Sequence, residues 1–138
     1  MLKIFLDANA VISGLIFGGN EVKLLSAGRL RLCNLVISEY VLKEVIAVLR
    51  SPRFKLTDDE TSFLITYLLN CARLYKDPPK ELIKAHYYVL RDKKDVPVLA
   101  GFLFHECDHL ITGDKELLKK VEKAVTAKKA LKLLSIQK

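Results

Sequence analysis

The run Lys3-Ile-Phe-Leu6 stops at Asp7, and this pattern constrains the fold more than any other part of the chain. It is too short for a helix and has no polar residue between Ile4 and Leu6, which is what a strand buried on both faces looks like. The run at 109–112, His-Leu-Ile-Thr, has the same character and is followed by Gly113 and Asp114. Segment 30–37, rich in Leu, Val and Ile, reads as another strand, and the apolar stretch 130–136 as a last one.

Helical patterns lie between these runs. Segment 21–27 predicts a short helix with Gly28 at its C-terminal end. Ser38 is a good N-cap for a helix reaching about residue 50, in which Val41, Leu42, Val45, Ile46, Val48 and Leu49 recur at helical spacing until Ser51-Pro52 stops it. Thr57-Asp-Asp-Glu60 is a capping box, and it opens a helix to about residue 74 with Phe63, Leu64, Tyr67, Leu68, Cys71 and Leu74 on one face. The pattern over 80–90 is only weakly helical. Asp95 reads as the cap of a helix with Pro97 in its first turn and Val98, Leu99, Phe102 and Leu103 on one face, and 115–123 predicts a further helix. Short strands alternating with helices predict an α/β domain with a mainly parallel central sheet flanked by helices. The 138 residues fit one such domain, 1–138.

In an open parallel sheet, ligands bind beyond the carboxyl ends of the strands. Asp7 stands at one strand end, and Asp114 stands two residues beyond another, across Gly113. Glu44 lies at the margin of its helix's apolar face, three residues after Val41 and four before Val48, where a carboxylate is costly unless compensated. Asp95 shares the face of Val98 and Leu99, although a helix cap accounts for it equally well. Two carboxylates about 4 Å apart repel by roughly 4 kcal/mol at an effective dielectric near 20. A cluster of four therefore protonates, splays apart or recruits cations. Hard oxygen donors select Mg²⁺ or Mn²⁺, which also bind phosphate oxygens.

Charge points the same way. The formal net charge is +7, and most of the excess falls in residues 115–138, where eight lysines face only Glu116 and Glu122. Such a flank, with Lys115, Lys119 and Lys120 nearest the acidic cluster, suits a polyanion such as nucleic acid; a solvated helix face is the plainer explanation. Cys33, Cys71 and Cys107 are odd in number and widely spaced, which predicts buried thiols in a reducing compartment and not a zinc site or a disulfide framework. Asp7 and Asn9 interrupt the apolar N-terminus, and no run is long enough to span a membrane, so the expected location is the cytoplasm.

Together these residues resemble the PIN-domain nucleases, in particular the VapC-like toxins of prokaryotic toxin–antitoxin pairs, over nearly the whole chain. Phe5-Leu-Asp7-Ala-Asn9-Ala-Val-Ile-Ser13 is similar to that family's opening motif, Ser38-Glu-Tyr-Val-Leu-Lys-Glu44 to its second, Lys94-Asp95-Val-Pro-Val-Leu-Ala100 to its third, and Ile111-Thr-Gly-Asp-Lys115 to its fourth. The resemblance implies a PIN-like three-layer fold. It also implies an endoribonuclease active on single-stranded RNA with Mg²⁺ or Mn²⁺, with Asp7, Glu44, Asp95 and Asp114 as catalytic metal ligands and Asn9, Ser13, Ser38 and Thr112 in support. An antitoxin partner and a homodimer are implied as well. Ala8 stands where many relatives have threonine, and Leu117 or Leu118 where some carry a further polar residue, which leaves one metal or two open.

Three rival readings fit less well. A phosphotransfer domain with Asp7 as nucleophile lacks a second aspartate at Asn9 and gives Glu44 no role. A non-catalytic nucleic-acid-binding or assembly module of the same fold has no use for four carboxylates, whereas a housekeeping RNA-processing nuclease of that fold stays open beside the toxin. A metal-free ribonuclease would need a partnered histidine, and His86, His105 and His109 do not stand at strand ends with one.

Overall fold

A computed structural model of the chain describes residues 1–136; Lys138, the end of the basic flank, lies outside them. Five strands form one parallel sheet in the order β3-β2-β1-β4-β5. They are β1 (Lys3–Leu6), β2 (Asn34–Ser38), β3 (Ala72–Tyr75), β4 (His109–Ile111) and β5 (Ala124–Val125). β1 is central, with Ile4 opposite both Leu35 and His109, and Ile4, Phe5 and Leu6 are fully buried. This is the reason its sequence does not alternate.

The helices are α1 (Ala8–Ile12), continued by a π-helical turn at Ser13–Phe17, then α2 (Asn20–Arg29), α3 (Glu39–Leu49), α4 (Asp58–Cys71) and α5 (Lys80–Ala85). A 3₁₀ turn at Lys93–Asp95 leads into α6 (Val96–Phe104), and α7 (Lys115–Lys120) and α8 (Ala127–Ile136) complete the chain. Side chains alternate along a strand, so Ile4 and Leu35 share one sheet face and Phe5 and Val36 the other. α2 packs on the first face through Gly28 against Leu35, with α8 beside it. α6 packs on the second through Gly101 over the Phe5 ring, with α3 against both α6 and α1. The result is a three-layer α/β domain.

Local signals that rest on hydrogen-bond chemistry are realised closely. The Ser38 hydroxyl accepts the Val41 N–H at 3.2 Å. Thr57 and Glu60 form the reciprocal capping box at 3.1 and 2.9 Å.

Several expectations need correction. Gly28 does not end α2 but lies inside it, and the helix closes instead through Arg31, whose φ is 63°, with the Leu32 N–H bonded to the Ala27 carbonyl at 2.9 Å. Regular pairing of β2 therefore begins only at Asn34, and Leu30 and Leu32 face solvent. The long helix from residue 57 stops at Cys71, because Ala72 turns extended and starts β3, an edge strand too exposed at Arg73 and Leu74 to show alternation. Phe63, placed on the inner face by its spacing, is 71% exposed.

The last element is a helix and not a strand. Ala127, Ala130, Leu131 and Leu134 follow helical spacing, and the Lys129 N–H bonds the Thr126 hydroxyl at 3.2 Å where α8 starts. The true final strand is the dipeptide Ala124–Val125, which carries no pattern of its own. The weak pattern over 80–90 is helical only as far as Ala85, and Leu103 of α6 is exposed.

Gly28 is a test of this packing. A Cβ there would lie 2.5 Å from the Cys71 carbonyl oxygen and against the Leu35 side chain. Gly28→Ala should lower unfolding stability by roughly 1–3 kcal/mol with an unchanged denaturant m-value, measured by urea unfolding.

Candidate active site

All five strands run in the same direction, so their C-terminal ends share one edge, and the acidic residues collect there. Asp7 directly follows β1, and its N–H bonds the Ile111 carbonyl of β4 at 3.2 Å. Thr112 follows β4, and Asp114 stands just beyond it. Asp7 is buried and caps α1 through Oδ1, which accepts the Ala10 N–H at 2.8 Å. Asp114 caps α7 in the same way, with Oδ1 accepting the Leu117 N–H at 2.9 Å. Both carboxylates are thus fixed by helix N-termini that favour negative charge. The Thr112 hydroxyl accepts the Asp114 N–H at 3.0 Å and is also a hydrogen-bond partner of the Asp7 side chain.

Glu44 comes from α3, whose direction is set where β2 ends in the Ser38 cap. It is half-buried, with Tyr40 one turn earlier on the same helix. The Tyr40 hydroxyl also donates to the Lys94 carbonyl at 3.1 Å, which ties α3 to the turn that carries Asp95.

Asp95 is not a cap. It ends the 3₁₀ turn with helical backbone angles and makes no capping bond, while Asp92 caps that turn by accepting the Lys94 N–H at 3.0 Å. The Asp95 carboxylate is therefore left to the acidic cluster.

Electrostatics join the four. Asp95 is pushed up to about 7, first by burial and then by the charges of Asp114, Asp92, Asp7 and Glu44. Asp7 is raised, chiefly by burial and further by Asp114 and Glu21, while its bonds to Thr112 and Ala10 hold it down. Glu44 is also raised by burial, with the Tyr40 bond and Lys94 opposing and Asp7 and Asp92 adding. Tyr40 is pushed up to about 12 by burial and by the Glu44 charge, so it remains a donor at neutral pH. Among the described residues, no three acidic, histidine or cysteine side chains are already gathered closely enough to enclose a metal ion. The carboxylates border the strand edge without forming a closed cage.

The remaining sequence candidates divide. Asn9, Ser13 and Thr112 line a small cavity of about 170 Å³ together with Glu21 and Thr126. The Ser38 hydroxyl is engaged as the cap of α3, the helix that carries Glu44. Lys115 and Lys119 are exposed, and Lys120 is bonded to Glu116 and to the Val89 carbonyl at 2.9 Å each. Four residues near the cluster had escaped the sequence reading: Tyr40, Lys94, Asp92 and Glu21. Tyr40 was accessible through its i, i+4 spacing to Glu44. Glu21 reaches Asp7 only through the fold. Each described histidine that bonds a carbonyl does so away from the cluster: His105 to Lys76 at 2.7 Å and His109 to Lys123 at 3.3 Å.

The raised Asp95 acid has a consequence for stability. Its folded value near 7 lies above its ordinary 3.8, so the folded chain holds this proton more tightly than the unfolded chain does. Stability from this group is present at low pH and is lost as pH rises from about 4 to 7. In thermal unfolding without divalent cations, Asp95→Asn should raise Tm more at pH 7.5 than at pH 5. Parallel pH profiles for the two proteins would refute the coupling.

Comparison with known proteins agrees with this geometry. A family profile for the PIN domain matches residues 3–116. No curated protein sequence matches the chain. Among solved structures, the chain is similar to PAE2754 from Pyrobaculum aerophilum, with a TM-score of 0.73 at 18% identity over 98% of this chain and 96% of that one. It is similar to VapBC2 from Rickettsia felis, solved bound to a DNA fragment from the promoter, with a TM-score of 0.69 at 12% identity over 91% and 98% of the two chains. It is also similar to VapC20 from Mycobacterium tuberculosis, described as a Sarcin-Ricin loop cleaving toxin, with a TM-score of 0.59 at 18% identity over 86% and 97%. At these identities the structures speak for the fold, and the profile match speaks for the family: the chain belongs to the PIN domain family of nucleases.

Proposed function

We propose that this chain, acting as a single domain, is a metal-dependent endoribonuclease that hydrolyses phosphodiester bonds of single-stranded RNA and serves as the toxin of a toxin–antitoxin pair. The observation that carries the reading is the grouping of Asp7, Glu44, Asp95 and Asp114 from four separate elements at one sheet edge, where the charge of Asp114 helps to raise the pKa of Asp7 and Asp95 and that of Asp7 helps to raise Glu44 and Asp95. The donor set fits a divalent cation: all four groups are hard oxygen donors, and their mutual repulsion is what bound positive charge relieves. These four residues would hold Mg²⁺ or Mn²⁺, which supplies Lewis-acid polarisation of the phosphate and activation of water.

The chain's own residues prepare that chemistry. The Ala10 N–H and the Thr112 hydroxyl favour the ionised form of Asp7 against its burial. Tyr40, one turn before Glu44, favours its ionised form. Asp95 gives up its proton near neutral pH once its neighbours' charge is offset. Lys94 places a cation beside Glu44, and Lys115 and Lys119 offer exposed cations beyond Asp114 for the phosphate backbone. VapC20's description as a Sarcin-Ricin loop cleaving toxin supports an RNA substrate, and the similarity to VapBC2 supports an antitoxin partner. Single-strand preference, a homodimer and a cytoplasmic location rest on the resemblance to VapC-like toxins. Among the described residues no helix is long and apolar enough to cross a membrane.

Incubation of the full chain with a labelled single-stranded RNA tests the proposal. Cleavage should require Mg²⁺ or Mn²⁺, stop with EDTA, and leave 5′-phosphate and 3′-hydroxyl ends. Activity that survives the chelator, or cyclic-phosphate ends, would overturn it. Asp7→Asn should reduce cleavage by roughly a hundredfold or more while leaving RNA binding intact, because the variant removes a metal donor and a negative charge together.

A further inference from the structure

The segment between α5 and the 3₁₀ turn has little regular structure but is firmly tied down. Leu90 is buried beneath it. Lys93 Nζ donates to the carbonyls of Tyr87 at 2.7 Å and Leu90 at 2.8 Å, and Lys120 Nζ donates to that of Val89 at 2.9 Å. The Arg91 N–H is held by both Glu116 carboxylate oxygens at 3.0 Å. On this segment Tyr87 and Tyr88 meet edge to face, with ring centroids 5.1 Å apart and planes at 89°. Tyr88 is 90% exposed and Tyr87 42%, so packing within the chain does not account for them. Lys93 Nζ stands 4.2 Å from the Tyr87 ring centroid and 5.4 Å from that of Tyr88. Lys93 also opens the 3₁₀ turn that ends in Asp95, so the rings and the carboxylate ride on one braced segment.

We infer that Tyr87 and Tyr88 form a stacking ledge for an unpaired RNA base, beside Lys93 and Lys94, a few nucleotides from the bond that is cut. The inference rests on the ribonuclease reading and adds to it where the strand lies. Every base offers a π face, and stacking on an aromatic side chain flanked by cations binds single strands with little regard to sequence. Bases in a duplex are hidden in the stack, so a ledge selects those already splayed out. The surroundings suit phosphate: the segment carries the exposed Arg91 and Lys94 side chains, and the Asp92 and Glu116 carboxylates are already engaged by N–H donors. The core of a protein-docking patch is depleted in charge, whereas these rings are interleaved with lysine.

The test uses the full chain. Binding of a fluorescent single-stranded oligoribonucleotide is measured by anisotropy in an Asp7→Asn background, and cleavage kinetics in the otherwise unaltered chain. Tyr88→Ala should weaken binding by roughly tenfold or more, and raise KM with kcat little changed, whereas Tyr88→Trp should preserve both. An abasic strand of the same length should bind Tyr88→Ala and its parent equally, because only a base can stack. Cleavage that does not depend on Tyr88 removes the ledge and leaves the nuclease. Binding that depends on Tyr88 without any cleavage keeps the ledge and removes the nuclease, and the absence of both removes both. If Tyr88→Ala instead changes the sedimentation of the chain and leaves RNA affinity untouched, the surface serves protein contacts and the ledge is overturned.

Discussion

The double pairing of β1 is the constraint on which the rest of this molecule depends. With β2 on one side and β4 on the other, both parallel to it, β1 has no free edge and no solvated face. Ile4, Phe5 and Leu6 are buried as a consequence, and the first residue that can be polar is the one that leaves the sheet. That residue is Asp7. Because β4 runs in register beside it, with Leu6 opposite Ile111, Thr112 and Asp114 emerge at the same level. The apolar strand and the acidic site are therefore two results of one arrangement, in which hydrophobic burial fixes where the charges surface.

Holding charges there works against stability, and the chain offsets the cost locally. Asp7 and Asp114 each cap a helix, so the N–H groups that need an acceptor and the carboxylates that need a donor satisfy one another. Tyr40, a phenol that stays protonated, and Lys94 favour the ionised form of Glu44. Asp95 receives no such bond, and burial together with its acidic neighbours pushes it up to about 7. At the proposed metal site, a cation and a proton would compete for this carboxylate near neutral pH.

The sequence disclosed what depends on neighbours within one turn or one strand. The capping box at Thr57, the Ser38 cap, the doubly buried run at Ile4 and the margin position of Glu44 were legible because each is a local pattern. β3 and β5 were not, since four half-exposed residues and a dipeptide acquire strand geometry only from the strand they join. Gly28 was misread for a related reason: a glycine that stops a helix and one that lets it approach a sheet look alike until Leu35 and Cys71 are placed against it. Asp95 is the converse case. Its position before an apolar helix made a cap the simpler reading, and only the backbone shows that Asp92 caps the turn while Asp95 is left to the cluster.

The position of Asp95 is then a matter of bracing, since no strand end delivers it. Three ties meet around its turn. Tyr40 reaches across from α3 to the Lys94 carbonyl, Asp92 closes the turn from within, and Glu116 of α7 holds the Arg91 N–H just upstream. Two of these ties start on elements that also carry an acidic residue of the site. Tyr40 is one turn before Glu44, and Glu116 is two residues after Asp114. A shift of α3 or α7 thus moves a carboxylate and its brace together, so the spacing of Asp95 to Glu44 and to Asp114 is held by side chains from the same helices. A site assembled from four separate elements keeps its geometry in this way without a disulfide, and the described cysteines, all free and buried, take no part in it.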